Sequence, residues 1–156
     1  MAFDGITIAN LVKEMKDTII GCRIYKIAQP ENDELILTIK GSCGQKRLFL
    51  SASASLPLIY FTESNKPSPL TAPGFCMLLR KHLTGAMIKD VRQHETDRII
   101  FIDFDATNEI GDRVELTVVM EIMGKYSNMI LISGEKIIDS MKRVDYTTSS
   151  VRQILP

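Results

Sequence analysis

Between Val114 and Ile122 every second residue is apolar, with Val114, Leu116, Val118, Met120 and Ile122 alternating with polar or smaller side chains. Successive side chains of a strand point to opposite faces, so this period of two predicts a strand with one face in a core. The same pattern recurs along the chain and is broken twice by a period near 3.6. Ile8, Leu11, Val12, Met15 and Ile19 share one face of a first helix, with Lys13, Glu14, Lys16 and Asp17 elsewhere on it. Asp4 or Thr7 can cap its start, and Gly21 sits where a left-handed C-terminal residue belongs. A second helix runs from about Phe75 to Leu83. Phe75, Leu78, Leu79 and His82 share its face, Arg80 and Lys81 lie off it, and Gly85 can end it.

The remaining segments read as antiparallel strands joined by turn residues. Arg23–Ala28 precedes a turn at Gln29-Pro30-Glu31-Asn32-Asp33. Leu35, Leu37 and Ile39 then alternate with Ile36, Thr38 and Lys40, and Gly41-Ser42-Cys43-Gly44 turns the chain into Arg47–Ser51. Leu58–Thr62 is a further strand, followed by a proline-rich connector from Ser64 to Gly74. Past the second helix come Met87–Gln93, Arg98–Phe104, Val114–Ile122, Asn128–Ile132 and Lys136–Met141. Asn108–Asp112 and Ser133-Gly134-Glu135 serve as turns among them. The expected fold class is α+β: an antiparallel β-sandwich-like core, or a curled sheet, with two main helices. Val151, Ile154 and Leu155 open an apolar pattern that stops at Pro156, so residues 1–156 read as one domain of a longer multidomain protein.

Composition narrows the function classes. The 156 residues are 45% hydrophobic and 24% charged, which excludes a disordered tail. Nineteen Lys plus Arg against nineteen Asp plus Glu give a formal charge of zero, which argues against nucleic-acid binding by bulk charge. Apolar runs fall far short of the roughly 20 residues that cross a bilayer, and the N-terminus does not read as a signal peptide. Cys22, Cys43 and Cys76 are an odd set without a close pair. They read as reduced thiols in the cytoplasm, not as disulfides or zinc ligands with His82 and His94.

No phosphate-binding glycine loop, nucleophile elbow or metalloprotease motif occurs, so no catalytic residue, metal or cofactor is expected. Asp103 and Asp105 lie two apart in a strand and point to one face, where a polar strand face is the commoner reading than acid–base work. Glu121 reads as outward-facing on its strand. His82 reads as a core histidine, and the eight Met as core filler.

Two segments carry more chemistry. In Gln93–Arg98, Asp97 can orient Arg98 by a charge-assisted hydrogen bond, aiming the guanidinium at phosphate or a base edge; an ion pair that starts a strand is the equal alternative. In Met123–Asn128 a glycine breaks a strand before a cation, an aromatic and two hydrogen-bonding side chains. Lys125, Tyr126 and Asn128 would suit an RNA contact with Tyr126 stacking, or an ordinary bulge and polar turn. Arg80, Lys81, Lys89, Arg92 and Arg98 bunch in sequence and offer a local basic surface or a solvated face.

Met1-Ala2-Phe3-Asp4-Gly5, Phe75-Cys76-Met77-Leu78-Leu79-Arg80-Lys81-His82-Leu83, Asp97-Arg98, Glu121-Ile122-Met123-Gly124-Lys125-Tyr126-Ser127-Asn128 and Arg152-Gln153-Ile154-Leu155-Pro156 occur in that order. Together they resemble the N-terminal NFACT domain of the bacterial RqcH, or FbpA-type fibronectin-binding, family, whose eukaryotic relative is NEMF. The resemblance implies a fold similar to the N-terminal domain of formamidopyrimidine-DNA glycosylases. It also implies a non-enzymatic, cytoplasmic factor of ribosome-associated quality control. Such a factor binds large ribosomal subunits that hold a stalled peptidyl-tRNA, recruits alanyl-tRNA and adds a C-terminal alanine tail to the nascent chain. The family's tRNA-engaging Asp-Arg pair falls on Asp97 and Arg98, with further RNA contacts expected from Arg80, Lys81, Lys125, Tyr126 and Asn128. Many members have Arg-His where this chain has Lys125-Tyr126, which removes a bidentate phosphate fork. The alternatives are a surface adhesin with fibronectin as partner, as the family's older name implies, and a glycosylase-like enzyme. The glycosylases' N-terminal proline followed by glutamate is absent here.

Overall fold

A computed structural model describes residues 5–31, 33–42, 44–52, 58–62, 74–93, 99–122, 128–133 and 136–140. Helix α1 (Gly5–Ile19) leads into strands β1 (Arg23–Ala28), β2 (Glu34–Gly41), β3 (Gly44–Ser51) and β4 (Leu58–Thr62). Helix α2 (Gly74–Leu83) then precedes β5 (Met87–Gln93), β6 (Ile99–Thr107), β7 (Arg113–Glu121), β8 (Asn128–Ser133) and β9 (Lys136–Ser140). The class is α+β, dominated by antiparallel sheet.

Ile8, Met15 and Ile19 are fully buried on α1 and Val12 nearly so, as their spacing requires. The helix starts at Gly5, which places Thr7 inside it and not at its cap. Gly21 follows with φ +86°, a left-handed conformation that turns the chain into β1. On α2 the buried stripe is Phe75, Cys76, Leu79 and Leu83. It is rotated from the expected face, so Leu78 and His82 fall on its flank, half-buried.

Of the two expected arrangements, the strands form the curled sheet. The nine described strands are hydrogen-bonded in the single order β4-β3-β2-β1-β5-β6-β7-β8-β9. The join between the two halves is short, resting on Gly21 N–H to Ile88 O, Ile88 N–H to Cys22 O, Ile24 N–H to Ala86 O and Gly85 N–H to Ile24 O, at 2.8–3.0 Å. Along this order β1 and β9 lie five strand spacings apart, about 24 Å on a flat sheet. Helix α2 is only about 15 Å long, yet it packs against β1, β6 and β9. The sheet therefore curls around α2, and one hydrophobic cluster holds residues of both helices and both halves.

A register shift between Ile24 and Lys26 marks a bulge in β1. It lets Ile24 and Ile27 both reach the core while Tyr25 and Lys26 both face outward. The Asn108–Asp112 turn forms as expected, with Asn108 Oδ1 accepting from the backbone N–H of Ile110 at 3.1 Å and of Asp112 at 2.9 Å.

Candidate nucleic-acid interface

The strand registers set the described flanks of the two segments singled out in the sequence at one end of the sheet. Gln93 pairs with Ile100, Ile99 with Glu121, and Glu121 with Asn128. The connections 94–98 and 123–127 thus both leave from the same end of neighbouring strands β5 to β8. Asp97, Arg98, Lys125 and Tyr126 themselves lie outside the described residues. Asn128 departs from expectation: it is 1% exposed, and its Oδ1 accepts the N–H of Met129 at 2.9 Å, so its side chain is not a surface contact.

Arg80 and Lys81 do not join this end. Lys81 pairs at 2.9 Å with Glu109 in the β6–β7 turn, beyond Thr107. Ile99 and Thr107 are the opposite ends of β6, about 27 Å apart for an extended strand. The cations that bunch in sequence are therefore divided between two ends of the sheet. Arg80 is exposed, but its Nε–H donates to the Ile27 carbonyl at 2.8 Å and ties α2 to the end of β1. Cys76 Sγ lies 3.9 Å from the same oxygen. Burial pushes the Cys76 thiol up, with Arg80 opposing the shift.

Lys89 and Arg92 are neutralised across the sheet. On its outer face Asp90 stands opposite Asp103 and Asp105 opposite Glu115, two like-charged pairs that would be unfavourable alone. Each is resolved by neighbours. Arg92 donates to Asp103 through Nε at 2.8 Å and Nη2 at 3.2 Å, and Thr117 Oγ1 donates to the same carboxylate at 2.7 Å. Arg113 grips Asp105 in the same two-pronged way, and Lys89 pairs with Glu115. Burial would raise Asp103, but the bonds from Arg92 and Thr117 outweigh it and hold the carboxyl below its usual range. Arg92 also stacks on the Phe101 ring, 4.5 Å from its centre. Asp103 and Asp105 thus form a polar strand face, and Lys89 and Arg92 supply no free positive patch.

His82 lies beside the Lys81–Glu109 pair in a cleft of about 350 Å³ with Thr107, Asn108 and Ile110. Burial and the Lys81 charge lower its pKa, with Glu109 opposing them. The folded chain therefore favours neutral His82, while the unfolded chain takes up the proton near pH 6.5. Stability carried by His82 is complete above that pH and declines as pH falls toward the lower folded value. The melting temperature is expected to drop between about pH 7.5 and 5.5, and to drop less in His82→Gln. An equal decline in both proteins would place the sensitivity elsewhere.

Among the described residues no group of three or more His, Cys, Asp or Glu is placed to hold a metal. Nor is any described helix long and apolar enough to cross a membrane. Cys22 and Cys76 are buried and outside any disulfide. Glu121 is half-buried at the end of β7. Met15, Met120 and Met129 fill the core, whereas Met77 is exposed.

Residues 4–156 match the family model described as NFACT N-terminal and middle domains. The chain is 39% identical over its whole length to "Rqc2 homolog RqcH" of Streptococcus pneumoniae (strain D39), covering 29% of that protein. It is 37% identical to "Rqc2 homolog RqcH" of Bacillus subtilis, again over its whole length and 28% of the relative. It thus spans under a third of these curated relatives. Among solved structures, the N-terminal domain of fibronectin-binding protein PavA from Streptococcus pneumoniae superposes with a TM-score of 0.94. That match is 38% identical and covers 99% of this chain and 59% of the other. The fibrinogen binding protein from Staphylococcus aureus superposes with a TM-score of 0.84 at 34% identity, over 95% of this chain and 53% of the other. Ordered motifs, family match and superposition agree, and the chain belongs to the NFACT N-terminal and middle domain family.

Proposed function

We propose that this chain is the tRNA- and ribosome-binding N-terminal part of a cytoplasmic ribosome quality control factor. The factor binds large subunits obstructed by peptidyl-tRNA and recruits alanyl-tRNA for alanine tailing of the stalled chain. One observation carries the reading: whole-length similarity at 37–39% identity to relatives named as Rqc2 homologues. The common origin of segments 94–98 and 123–127 at one sheet end supports it, because one RNA surface could use both. In this reading Asp97 orients Arg98 toward the tRNA, and the chain contributes binding without catalysis. The glycosylase-like fold belongs to the same proposal, as an architecture shared without its chemistry. Cys22 and Cys76, buried and outside any disulfide, fit a reducing compartment.

The test uses the whole factor carrying this chain on purified obstructed large subunits. Losing a charge-assisted contact is worth about tenfold or more, so Asp97→Ala/Arg98→Ala should lower alanine tailing by at least that factor with the melting temperature unchanged. Wild-type tailing by the folded variant would remove Asp97 and Arg98 from the site. A second reading, a fibronectin-binding adhesin, is favoured by the names of two solved neighbours. Labelling of intact cells separates the two, since an adhesin must be reached by an impermeant reagent.

A further inference from the structure

The outer face of β1–β3 differs from the neutralised β5–β7 face beside it. Arg23 pairs with Lys40, Lys40 with Gln45, Lys26 with Thr38 and Thr38 with Arg47, which sets these residues on one face. Thr38, Ile36 and Phe49 are buried there, so its open part is the patch around Arg23, Lys26 and Lys40. The β1 bulge adds Tyr25, which is 58% exposed, and Lys40 Nζ lies over its ring at 3.5 Å. Arg23 is held by a 2.9 Å bond from Nη1 to the Gly85 carbonyl. The acids of this part of the chain, Glu31, Asp33 and Glu34, sit at the β1–β2 turn, the far end of both strands. Across the β1–β5 join, the nearest outer-face acid is Asp105, already gripped by Arg113. Among the described residues no carboxylate pairs with Lys26 or Lys40.

Exposed cations around Tyr25 attract a polyanion, and the exposed aromatic ring selects for ligands with faces that stack. Single-stranded nucleic acid has both properties at the spacing of one nucleotide. The bulge matters to this chemistry, because regular alternation would turn either Tyr25 or Lys26 into the core. An acidic peptide would satisfy the charges and leave the ring unused.

We infer that the exposed patch of Arg23, Tyr25, Lys26 and Lys40 on the outer face of β1 and β2 is a second RNA-contacting surface, which takes an unpaired segment with Tyr25 as stacking platform and Lys26 and Lys40 on phosphates. Arg23 adds positive charge beside them. This rests on the proposed RNA-binding role and extends it to a place that role does not require. Arg23 pairs with Met87 and Met87 with Asp105, so the surface lies toward the opposite end of the sheet from 94–98. A folded RNA touching both places would be held at two points. A phosphate draws Lys40 away from the ring, and a base takes its position.

The experiment measures fluorescence anisotropy of the 156-residue chain with a fluorescein-labelled single-stranded RNA of about 12 nucleotides and with the corresponding duplex, from about 50 to 200 mM KCl. Tyr25→Leu should weaken single-strand binding at least about fivefold and leave duplex binding unchanged. Lys26→Gln/Lys40→Gln should reduce the slope of log affinity against log salt by about 1.4, at about 0.7 per phosphate contact. Lys13→Gln/Lys136→Gln removes two exposed charges elsewhere and should leave both constants unaltered. All these side chains are exposed, and equal melting temperatures confirm intact folds.

If the Tyr25 and Lys variants bind as wild type while Asp97→Ala/Arg98→Ala weakens binding, the surface is refuted and the proposed function stands. Absence of single-strand binding by the wild-type chain, with alanine tailing by the whole factor intact, would overturn the surface and leave the proposed function standing. Competition by poly-glutamate of equal charge, as strong as by RNA and insensitive to Tyr25→Leu, would make the surface a protein-docking one and overturn the RNA assignment.

Discussion

Phe104→Ala is expected to destabilise the chain by about 3–5 kcal/mol, a large share of the roughly 5–15 kcal/mol that holds a domain of this size. Phe104 lies mid-β6, fully buried, between Ile88 on β5 and Leu116 on β7, which are 1% and 3% exposed. Its ring fills the concave side of a curled sheet, where hydrogen bonds to both neighbours hold the strands apart. The walls therefore cannot collapse into the space that alanine leaves, and the loss includes both the transfer cost and that of the cavity. Phe101 on the same strand supplies the contrast. It faces outward, half-buried under Arg92 and against the small outer-face cluster of Val119 and Ile130, so Phe101→Ala should cost only about 1–1.5 kcal/mol. Urea titrations with equal m values would measure both. Similar costs at the two positions would mean that the sheet does not curl as described.

That difference between two phenylalanines three residues apart was legible in the alternation of β6, as were most element positions. Period-two and period-3.6 patterns report which side of a local element meets a core. They do not report which distant element supplies it. The β1–β5 join illustrates the gap: it links Ile24 with Ala86 and Cys22 with Ile88 through backbone groups, and backbone groups leave no trace in side-chain pattern. The same limit governs the candidate interface. Arg80, Lys81, Lys89, Arg92 and Arg98 look like one basic cluster in the chain. Folding sends Lys81 to Glu109 at one end of β6, and pairs Lys89 and Arg92 with acids from strands β7 and β6. Charges opposed across strands cancel, and only a register reveals it.

The reverse holds at β1–β3. Arg23, Tyr25, Lys26, Lys40 and Arg47 are spread thinly in sequence, and Tyr25 carries no motif. A bulge and two hairpin registers gather them on one face. The available signal was the two apolar residues Ile24 and Ile27 at a spacing of three, which a regular strand cannot send to one side. Such a break of period within a strand marks a bulge, and here it coincides with an exposed aromatic between cations.

Gly41→Ala is expected to cost about 2–4 kcal/mol, through an approach of two chains that the sequence does not announce. Gly41 ends β2 at φ +156°, and a Cβ there would stand 3.0 Å from both the α-carbon and Sγ of Cys22 and 3.1 Å from its Cβ. Cys22 cannot give way. It is fully buried, and its carbonyl accepts the Ile88 N–H at 2.8 Å in the short join that unites the sheet. Overpacking of about 1–3 kcal/mol therefore adds to backbone strain of similar size. Gly44, the pairing partner of Gly41, separates the two contributions. It has φ +77°, but an added Cβ meets nothing within 4 Å, so Gly44→Ala should cost only the strain, about 1–2 kcal/mol. Trimming the thiol in Gly41→Ala/Cys22→Ala would relieve the clash with sulfur and leave the clash with the Cys22 backbone, so it should recover only part of the loss. Equal costs for Gly41→Ala and Gly44→Ala would show that Cys22 yields, and that the β1–β5 join is softer than its hydrogen bonds imply.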